Sequence, residues 1–211
     1  MSEKQATVFV VDDDSSVRKG LKRLLKSAGY GVEVFASADE FLAFDSRSDG
    51  PACLVLDMQM PGLNGLDLQE KLISRYYTRP IIFITGYGDI PTSVRAMKKG
   101  AVEFLTKPFD DRDLLDAVHE ALRKDMQTRT VLNERAKIHQ RLATLTPREH
   151  EILTHVIAGL LNKQIAYVLK ISEKTVKVHR GRVMEKTGVE SLAELVRFAE
   201  KAGIKPAEVS I

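Results

Sequence analysis

The sequence predicts an α/β protein with a doubly wound, five-stranded parallel sheet, followed by a smaller all-α unit of four helices. Three observations support this. Apolar runs alternate five times with amphipathic segments over the first 123 residues, the runs are apolar at successive positions, and the alternation stops beyond them. A strand that is apolar at every position needs cover on both faces, as in a parallel sheet between two helical layers.

The apolar runs give the strands of the predicted sheet. They are Thr7 to Val11, Val32 to Phe35, Cys53 to Leu56, Ile81 to Ile84 and Val102 to Leu105. The segments between and after them repeat apolar residues at helical spacing. Ser37 and Glu40 form a capping box that predicts the start of the second helix, and Gly29 and Gly100 lie just past helix ends.

A long helix is expected to leave the sheet domain. From Asp110 to about Leu142 there is no proline or glycine, so the last helix of the sheet domain is expected to continue into a polar helical linker, with a flexible tether as the alternative. We therefore divide the chain into a first domain at 1–123, a linker at 124–143 and a second domain at 144–211.

Four helices are predicted in the second domain. Thr146, Pro147 and Glu149 supply a capping threonine, a proline at the first helical position and the closing glutamate of a capping box. Gly159 ends this helix. The other three run from Lys163 to Leu169, from a Ser172 cap to about Lys186, and onward from a Ser191 cap.

Charge and cysteine content narrow the function classes. Residues 1–123 hold 16 Lys/Arg and 19 Asp/Glu, whereas residues 124–211 hold 16 and 10, so the second half favours a polyanionic partner. Cys53 is the single cysteine, which excludes an internal disulfide and a cysteine-based zinc site; its apolar flanks predict a buried strand position. No apolar stretch approaches ~20 residues, so we expect no membrane segment, no signal peptide and a cytoplasmic location.

Polar residues at the carboxyl ends of the predicted strands mark a candidate site. Asp12 and Asp13, Asp57, Thr85 and Lys107 all lie at such ends, where open α/β sheets bind their ligands. An all-oxygen carboxylate cluster suits Mg²⁺. Asp57 could then act as a nucleophile in phosphoryl transfer, with the metal, the Lys107 ammonium and the Thr85 hydroxyl stabilising developing charge.

These residues resemble the receiver domains of two-component response regulators, which have a flavodoxin-like fold, across residues 5 to 123. The motifs are Val-Val-Asp12-Asp13-Asp14, Leu-Asp57-Met-Gln-Met-Pro61-Gly62, Ile-Thr85-Gly and Leu-Thr-Lys107-Pro108-Phe109. The resemblance implies a phosphoryl group accepted on Asp57 from a sensor histidine kinase. It also implies Mg²⁺, with Mn²⁺ or Ca²⁺ as substitutes, bound by Asp13, Asp57 and the Gln59 carbonyl, with Asp12 assisting through water.

The same resemblance implies a conformational switch. Thr85 is expected to turn toward the phosphate while Phe104 moves inward, and the surface near residues 87 to 109 is expected to rearrange and form a homodimer. The Lys107-Pro108 bond is expected to be cis. The protein would then take part in its own phosphorylation and dephosphorylation without being an enzyme in the usual sense.

Taken singly, each of these residues has an ordinary structural explanation. Asp12 and Asp13 could lie in a solvated loop or helix cap, Lys107 on the surface, Thr85 at a strand end and Phe104 in the core. A second class of site is also open, because Asp12-Asp-Asp14 loosely matches the start of haloacid-dehalogenase-like phosphatases, in which the first aspartate is the nucleophile. That alternative leaves the motif around Asp57 unexplained.

The helix from Glu173 to Lys186 has a basic outer face and an aliphatic inner face. Its positive residues are Lys174, Lys177, Arg180, Arg182 and Lys186, joined by His179, whereas Ile171, Val176 and Val183 provide the inner face. Such a pattern suits the second helix of a helix-turn-helix, which lies in the DNA major groove. By charge alone, a solvated amphipathic helix is the simpler explanation.

The surrounding residues resemble the LuxR-type DNA-binding domain, from 144 to about 200, and the two domains together resemble the NarL/FixJ family. The motifs are Leu145-Thr-Pro-Arg-Glu149, Asn162-Lys-Gln-Ile-Ala166, Ile171-Ser-Glu-Lys-Thr-Val-Lys177-Val-His179 and Lys186-Thr-Gly-Val189. The resemblance implies binding of double-stranded promoter DNA, transcription regulation and contact with RNA polymerase. Lys177 and Val178 are expected at base edges. Candidates for phosphate contacts are Lys163, Thr175, His179 and Arg182, with Lys174 also on the DNA-binding helix.

Two positions depart from the usual LuxR-type pattern. Leu161 stands where serine is frequent, and Gly181 lies inside the DNA-binding helix, where glycine costs about 1 kcal/mol relative to alanine. Gly181 either permits close approach of the backbone to DNA, or a local bend, or is a neutral change. A protein adaptor whose basic helix docks an acidic partner is the alternative to a DNA-binding function.

Overall fold

The computed structural model describes residues 5–44, 50–86 and 90–208. Its strands are β1 (Thr7–Val11), β2 (Gly31–Phe35), β3 (Ala52–Asp57), β4 (Ile81–Thr85) and β5 (Glu103–Thr106). Its helices are α1 (Ser15–Ser27), α2 (Ala38–Ala43), α3 (Gly65–Ser74), α4 (Ile90–Lys98), α5 (Asp111–Leu142), α6 (Pro147–Ile157), α7 (Asn162–Leu169), α8 (Glu173–Thr187) and α9 (Leu192–Lys201). The predicted fold class is confirmed.

All neighbouring strands pair in parallel in the order β2-β1-β3-β4-β5. In the register, Val8 of β1 lies beside both Val32 of β2 and Cys53 of β3. Leu56 of β3 pairs with Phe83 of β4. Because β1 and β3 are neighbours at the centre of the sheet, the residues at their carboxyl ends are placed side by side.

Both faces of the sheet are covered, which explains the continuous apolar runs. Phe9, Leu54 and Phe83 lie in a cluster completed by α2, α3 and α4, while Val8 and Cys53 lie in a second cluster completed by α1 and α5. Alternate strand residues point to opposite faces, so each strand supplies both clusters. All six residues of β3 are buried as a result.

The predicted helix through the linker is a single helix, α5. The chain forms two compact units, 1–129 and 130–211, and α5 contributes to each of them. In the first unit, Asp125 is buried and its Oδ2 accepts a hydrogen bond from the Ala52 N–H at 3.0 Å. In the second, Ile138 is buried and Arg141 Nη1 donates to the Thr187 carbonyl at 3.0 Å. The domain limits placed at 123 and 144 stay a prediction.

The second unit is built on well-capped helices. Thr146 Oγ1 accepts from the Glu149 N–H, and Glu149 Oε2 accepts from the Thr146 N–H, so the predicted capping box is confirmed. Ser172 caps α8 by accepting from the Thr175 N–H at 3.1 Å. Lys170, in the turn between α7 and α8, has φ 52, a left-handed conformation. The four short helices of the second unit all contribute to its apolar core, which includes Ile152, Leu153, Ile165, Val176 and Leu195.

The first unit has one small departure from the predicted caps. Ser37 Oγ accepts from the Glu40 N–H as expected, but Glu40 Oε2 accepts from the Ala36 N–H, since the side chain reaches past Ser37. Gly29 and Gly100 follow helix ends with φ 89 and 93, as predicted. In the part of the chain that the structure describes, no helix is both long and apolar enough to cross a bilayer.

Candidate functional site

Four of the five predicted site residues at the strand ends come together at the carboxyl edge of the sheet. Asp12 follows β1, Asp57 ends β3, Thr85 ends β4 and Lys107 follows β5. Since β1, β3, β4 and β5 are consecutive neighbours, their ends form one continuous edge. Asp12, Asp57 and Thr85 are 1%, 4% and 0% exposed, so this edge presents buried polar groups.

Lys107 joins the two buried carboxylates. Its Nζ lies 2.7 Å from Asp12 Oδ2 and 2.8 Å from Asp57 Oδ1. The Lys107 N–H also donates to the Thr85 carbonyl at 2.6 Å, and the Lys107-Pro108 bond is cis, as the resemblance to receiver domains implied. One ammonium therefore balances only one of the two carboxylates, and the buried site keeps an excess of negative charge.

Backbone amides hold both carboxylates in place. The second oxygen of Asp57 accepts from the Gln59 N–H at 2.9 Å, and the second oxygen of Asp12 accepts from the Asp14 N–H at 2.8 Å. Asp14 itself caps α1, with its side chain accepting from the Ser16 N–H at 2.7 Å. The hydrogen bond from the Ser16 amide lowers the pKa of Asp14, so this third aspartate acts as a helix cap.

Burial and charge oppose each other in this site. Burial raises the pKa of Asp57 above its ordinary value, although the hydrogen bond and the charge of Lys107 act against that rise. Burial acts to lower the pKa of Lys107, but the Asp12 and Asp57 carboxylates outweigh it and the net pKa is raised. Lys107 therefore stays protonated, and a further positive charge nearby would stabilise the ionised form of Asp57.

The donor chemistry fits a divalent cation. Asp12 and Asp57 supply carboxylate oxygens that share a single ammonium, and oxygen donors suit Mg²⁺. Asp13 is exposed, and among residues 5–44, 50–86 and 90–208 no three His, Cys, Asp or Glu side chains converge closely enough to hold a metal. The structure thus brings Asp12 and Asp57 together and does not bring the Asp13 carboxylate into the same cluster.

The expected switch residues are buried or half-buried. Thr85 is fully buried, and Phe104 on β5 is half-buried, with its ring centroid 6.5 Å from that of Phe83. The surface expected to dimerise, near residues 87 to 109, includes 87–89, which lie outside the described residues. Its α4 portion exposes Val94 and Met97, which are 44% and 43% exposed.

The sequence did not point to Gly65, the first residue of α3. A Cβ added there would lie 2.5 Å from the carbonyl oxygen of Asp57. Glycine in the first turn of a helix, directly after a capping residue such as Asn64, could have indicated a close backbone approach. The approach itself depends on where α3 crosses β3, and no local pattern contains that information.

In the second unit, one face of α8 is open to solvent. It carries the predicted DNA-binding residues Lys174, Lys177, Val178, Gly181 and Arg182, all exposed. Val176, Val183 and Thr187 are buried on the opposite side. Lys163, the second residue of α7, is also exposed. The division into an outer and an inner face is therefore as the sequence predicted.

Thr175 and His179 are less open than expected for residues that contact DNA. Both are half-buried, and the Thr175 Oγ1 lies 2.8 Å from the Ser172 Oγ within the helix cap. The Nδ1 of His179 is buried and makes no hydrogen bond to the residues that the structure describes. The one polar group of the Thr175 side chain is therefore already engaged in the cap of α8.

Two of the basic residues on α8 are engaged within the protein. Arg180 Nη1 donates to Asn162 Oδ1 at 3.2 Å, which ties α8 to the start of α7. Lys186 Nζ lies 2.6 Å from Glu149 Oε2 and also donates to the Thr144 carbonyl. The charge pattern placed Arg180 and Lys186 on the basic outer face, and the structure shows both half-buried. Helical periodicity does not reveal the partners that neighbouring helices offer them.

Comparison with protein-family models gives two matches. The model described as "Response regulator receiver domain" matches residues 8–119, and "Bacterial regulatory proteins, luxR family" matches residues 143–199. Nodulation protein W of Bradyrhizobium diazoefficiens is 48% identical over 200 residues, covering 95% of this chain and 88% of that protein. Transcriptional regulatory protein FixJ of Azorhizobium caulinodans is 43% identical over 201 residues, covering 95% of each.

Solved structures give the same result. The structure of response regulator StyR is 51% identical with a TM-score of 0.89, and the match covers 93% of this chain and 99% of that one. Full-length FixJ from B. japonicum is 42% identical with a TM-score of 0.57, covering 93% and 97%. The two family models together, and each of these relatives by itself, cover both halves of the chain.

Proposed function

Since the chain belongs to the two-component response regulators that combine a receiver domain with a LuxR-type DNA-binding domain, we propose that it accepts a phosphoryl group on Asp57 and then binds promoter DNA as a homodimer. The observation that carries the first step is the placement of Asp57 at the carboxyl edge of the sheet, with Lys107 Nζ 2.8 Å from its carboxylate. A sensor histidine kinase is the proposed donor.

In the phosphoryl transfer, an oxygen of the Asp57 carboxylate forms a bond to phosphorus as the bond between phosphorus and the donor breaks. Lys107 holds a positive charge beside both Asp12 and Asp57, where negative charge accumulates on the transferred group. The Gln59 amide fixes the orientation of the Asp57 carboxylate. Thr85 and Phe104 are the proposed switch residues. The Thr85 carbonyl accepts a hydrogen bond from the Lys107 N–H, which places Thr85 next to Lys107.

Receiver domains generally bind Mg²⁺ at the phosphorylation site, and we extend this to the present chain. Asp12, Asp13, Asp57 and the Gln59 carbonyl would hold the ion, with Mn²⁺ or Ca²⁺ as substitutes. The metal would neutralise the charge that Lys107 leaves unbalanced and stabilise charge on the transferred phosphoryl group. Asp13, being exposed, would turn toward Asp12 and Asp57 on binding.

The outer face of α8 is the proposed reader of DNA. Lys177 and Val178 would contact base edges, and Lys163, Lys174 and Arg182 would contact phosphates, because these side chains are exposed and all but one are positively charged. Two such helices in a dimer would reach half-sites roughly one turn, about 34 Å, apart. RNA polymerase is a further proposed partner, and a cytoplasmic location follows from the proposed contact with promoters.

The acceptor assignment is tested by mass spectrometry of the protein after incubation with a small phosphoryl donor such as acetyl phosphate, with and without Mg²⁺. The wild type should gain one phosphoryl group in Mg²⁺, and Asp57→Asn should gain none. Asp39→Asn, which changes an exposed aspartate on α2, is the matched control and should behave as the wild type. If Asp57→Asn still gained a phosphoryl group and Asp12→Asn gained none, the proposal would be contradicted and the phosphatase-like alternative would be favoured.

A further inference from the structure

Gly65 lies against the main chain of the proposed phosphoryl acceptor. A Cβ built on it would lie 2.5 Å from the Asp57 carbonyl oxygen, 3.0 Å from the Met58 Cα and 3.1 Å from the Phe83 Cε1. Real Cβ atoms essentially never approach another atom within 3.0 Å. The atom in the way is main-chain oxygen, which cannot turn aside as a flexible side chain can.

The requirement for glycine at this position is one of space. Gly29 and Gly100 have positive φ angles, but Gly65 does not belong to that group. Gly20 in α1 also lies inside a helix, and a Cβ there would meet nothing within 4 Å. The absence of a side chain at Gly65 therefore allows α3 to contact β3 closely, whereas Gly20 makes no comparable contact.

The main chain of Asp57 and Met58 is held from two sides. On one side, the Met58 N–H donates to the Ile84 carbonyl of β4 at 2.9 Å. On the other, the Gly65 N–H donates to the Met58 carbonyl at 3.0 Å, and Gly65 packs on the Asp57 carbonyl. Because β4 fixes one side, any group added at Gly65 must displace either α3 or the Asp57 to Gln59 segment.

We propose that Gly65 is a positioning residue for phosphoryl transfer. Its lack of a side chain lets the first turn of α3 seat on the Asp57–Met58 main chain, which sets the orientation of the Asp57 carboxylate and of the Gln59 carbonyl. This inference rests on the proposed function of Asp57. The ring of Phe83 also lies beside Gly65, and its centroid is 6.5 Å from that of the switch residue Phe104, so α3 contacts the acceptor directly and is linked to the switch residue through Phe83.

The test compares Gly65→Ala with Gly20→Ala, two variants that add the same methyl group to a helical glycine. For each, the rate of phosphoryl transfer from acetyl phosphate is measured against Mg²⁺ concentration. Gly65→Ala should raise the half-saturating Mg²⁺ concentration and lower the saturated rate constant, each by roughly tenfold, because small misplacements of reacting groups are costly. Gly20→Ala should match the wild type. If Gly65→Ala only reduces the amount of protein that reacts, leaving both constants unchanged, the residue is merely structural and the inference is overturned.

A second measurement needs neither Mg²⁺ nor phosphoryl transfer. In metal-free protein, the NMR amide signals of Met58 and Gln59 should shift in Gly65→Ala and stay unchanged in Gly20→Ala; unchanged signals in both would overturn the inference. If the wild type does not accept a phosphoryl group, only the proposed function fails. The NMR comparison still shows whether Gly65 sets the position of the Asp57 to Gln59 segment. Should Gly65→Ala not fold, Asn64→Ala, which removes the side-chain cap on the Asp67 amide, replaces it. That variant should raise the half-saturating Mg²⁺ concentration several-fold, and an unchanged value would overturn the inference.

Discussion

Glu149 should make a large electrostatic contribution to the stability of the DNA-binding unit. Its side chain is 2% exposed, and its Oε2 accepts hydrogen bonds from Lys186 Nζ at 2.6 Å and from the Thr146 N–H at 2.9 Å. These contacts tie the start of α6 to the end of α8. Glu149→Gln keeps the shape and an acceptor for the Thr146 amide but removes the charge that Lys186 neutralises.

The size of the effect follows from the pKa of the carboxyl. The hydrogen bond from Lys186, followed by that from the Thr146 amide, lowers the pKa of Glu149 from 4.5 to about 2. Such a difference corresponds to about 3 kcal/mol in favour of the ionised, folded form. The Lys186 side chain is 31% exposed, so solvent screening reduces this figure, and we expect Glu149→Gln to cost about 2 kcal/mol at neutral pH.

The same pair predicts an acid dependence. A carboxyl whose pKa is lower in the folded state stabilises that state at pH above its ordinary value, here 4.5, and the stabilisation is lost as pH falls toward about 2. The wild type should therefore lose about 2 kcal/mol of stability over that interval through this group. Glu149→Gln should lack this part of the pH dependence.

The assay is urea denaturation of the full chain from pH 7 to pH 2, with hydrogen exchange of the α6 and α8 amides reporting on this unit alone. Glu151→Gln is the matched control, since Glu151 lies on the same helix in a surface pair with Arg148 and is 53% exposed. That change should cost less than about 0.5 kcal/mol. Equal stability of Glu149→Gln and the wild type, or equal losses in both variants, would show that the Glu149–Lys186 ion pair does not stabilise this unit.

Four further predictions concern the two proposed sites. Asp57→Asn should raise the thermal midpoint of the Mg²⁺-free receiver, because it removes one of two buried carboxylates that share one ammonium. It should also abolish the shift in thermal midpoint that Mg²⁺ causes in the wild type. An undiminished shift in thermal denaturation would contradict this. Lys107→Met should increase Mg²⁺ affinity several-fold in calorimetry by removing a nearby positive charge, and an unchanged or weaker affinity would oppose the assigned electrostatics. Gly181→Ala should stabilise the protein by about 1 kcal/mol, since a Cβ there would meet nothing within 4 Å. If this more stable variant binds DNA more weakly, glycine at this position permits close approach of the backbone to DNA and is not a neutral change. Lys163→Ala should weaken DNA binding evenly across sequences and reduce the slope of log K against log salt by about 1, whereas loss of sequence preference would exclude a phosphate contact.

The sheet and its functional edge could be predicted because the information is local. Strands covered on both faces are apolar along their length, as β3 is from Ala52 to Leu56, and a polar residue at the end of such a strand or directly after it lies at the carboxyl edge. Asp57 and Lys107 were found in this way. The order of the strands then determined that their side chains would meet, which neither residue shows by itself.

The contacts that the sequence did not reveal join distant segments. Asp125, within the predicted linker, accepts from the Ala52 amide, and the close approach of Gly65 to Asp57 depends on how α3 crosses the sheet. Lys186 looked like part of the basic outer face because helical periodicity gives its direction only roughly. Its partner, Glu149, lies on another helix, so only the packing of α6 against α8 assigns it to an internal ion pair.

We propose that phosphorylation of Asp57 controls sequence-specific DNA binding by α8. The most direct measurement is selection of bound sequences from random duplex DNA by three samples: the protein with Mg²⁺ and a phosphoryl mimic, the protein without the mimic, and Asp57→Asn with it. We predict a two-fold symmetric motif enriched chiefly in the first sample. Absence of any enriched motif under all three conditions, or equal enrichment in Asp57→Asn, would show that Asp57 does not control DNA binding in this way.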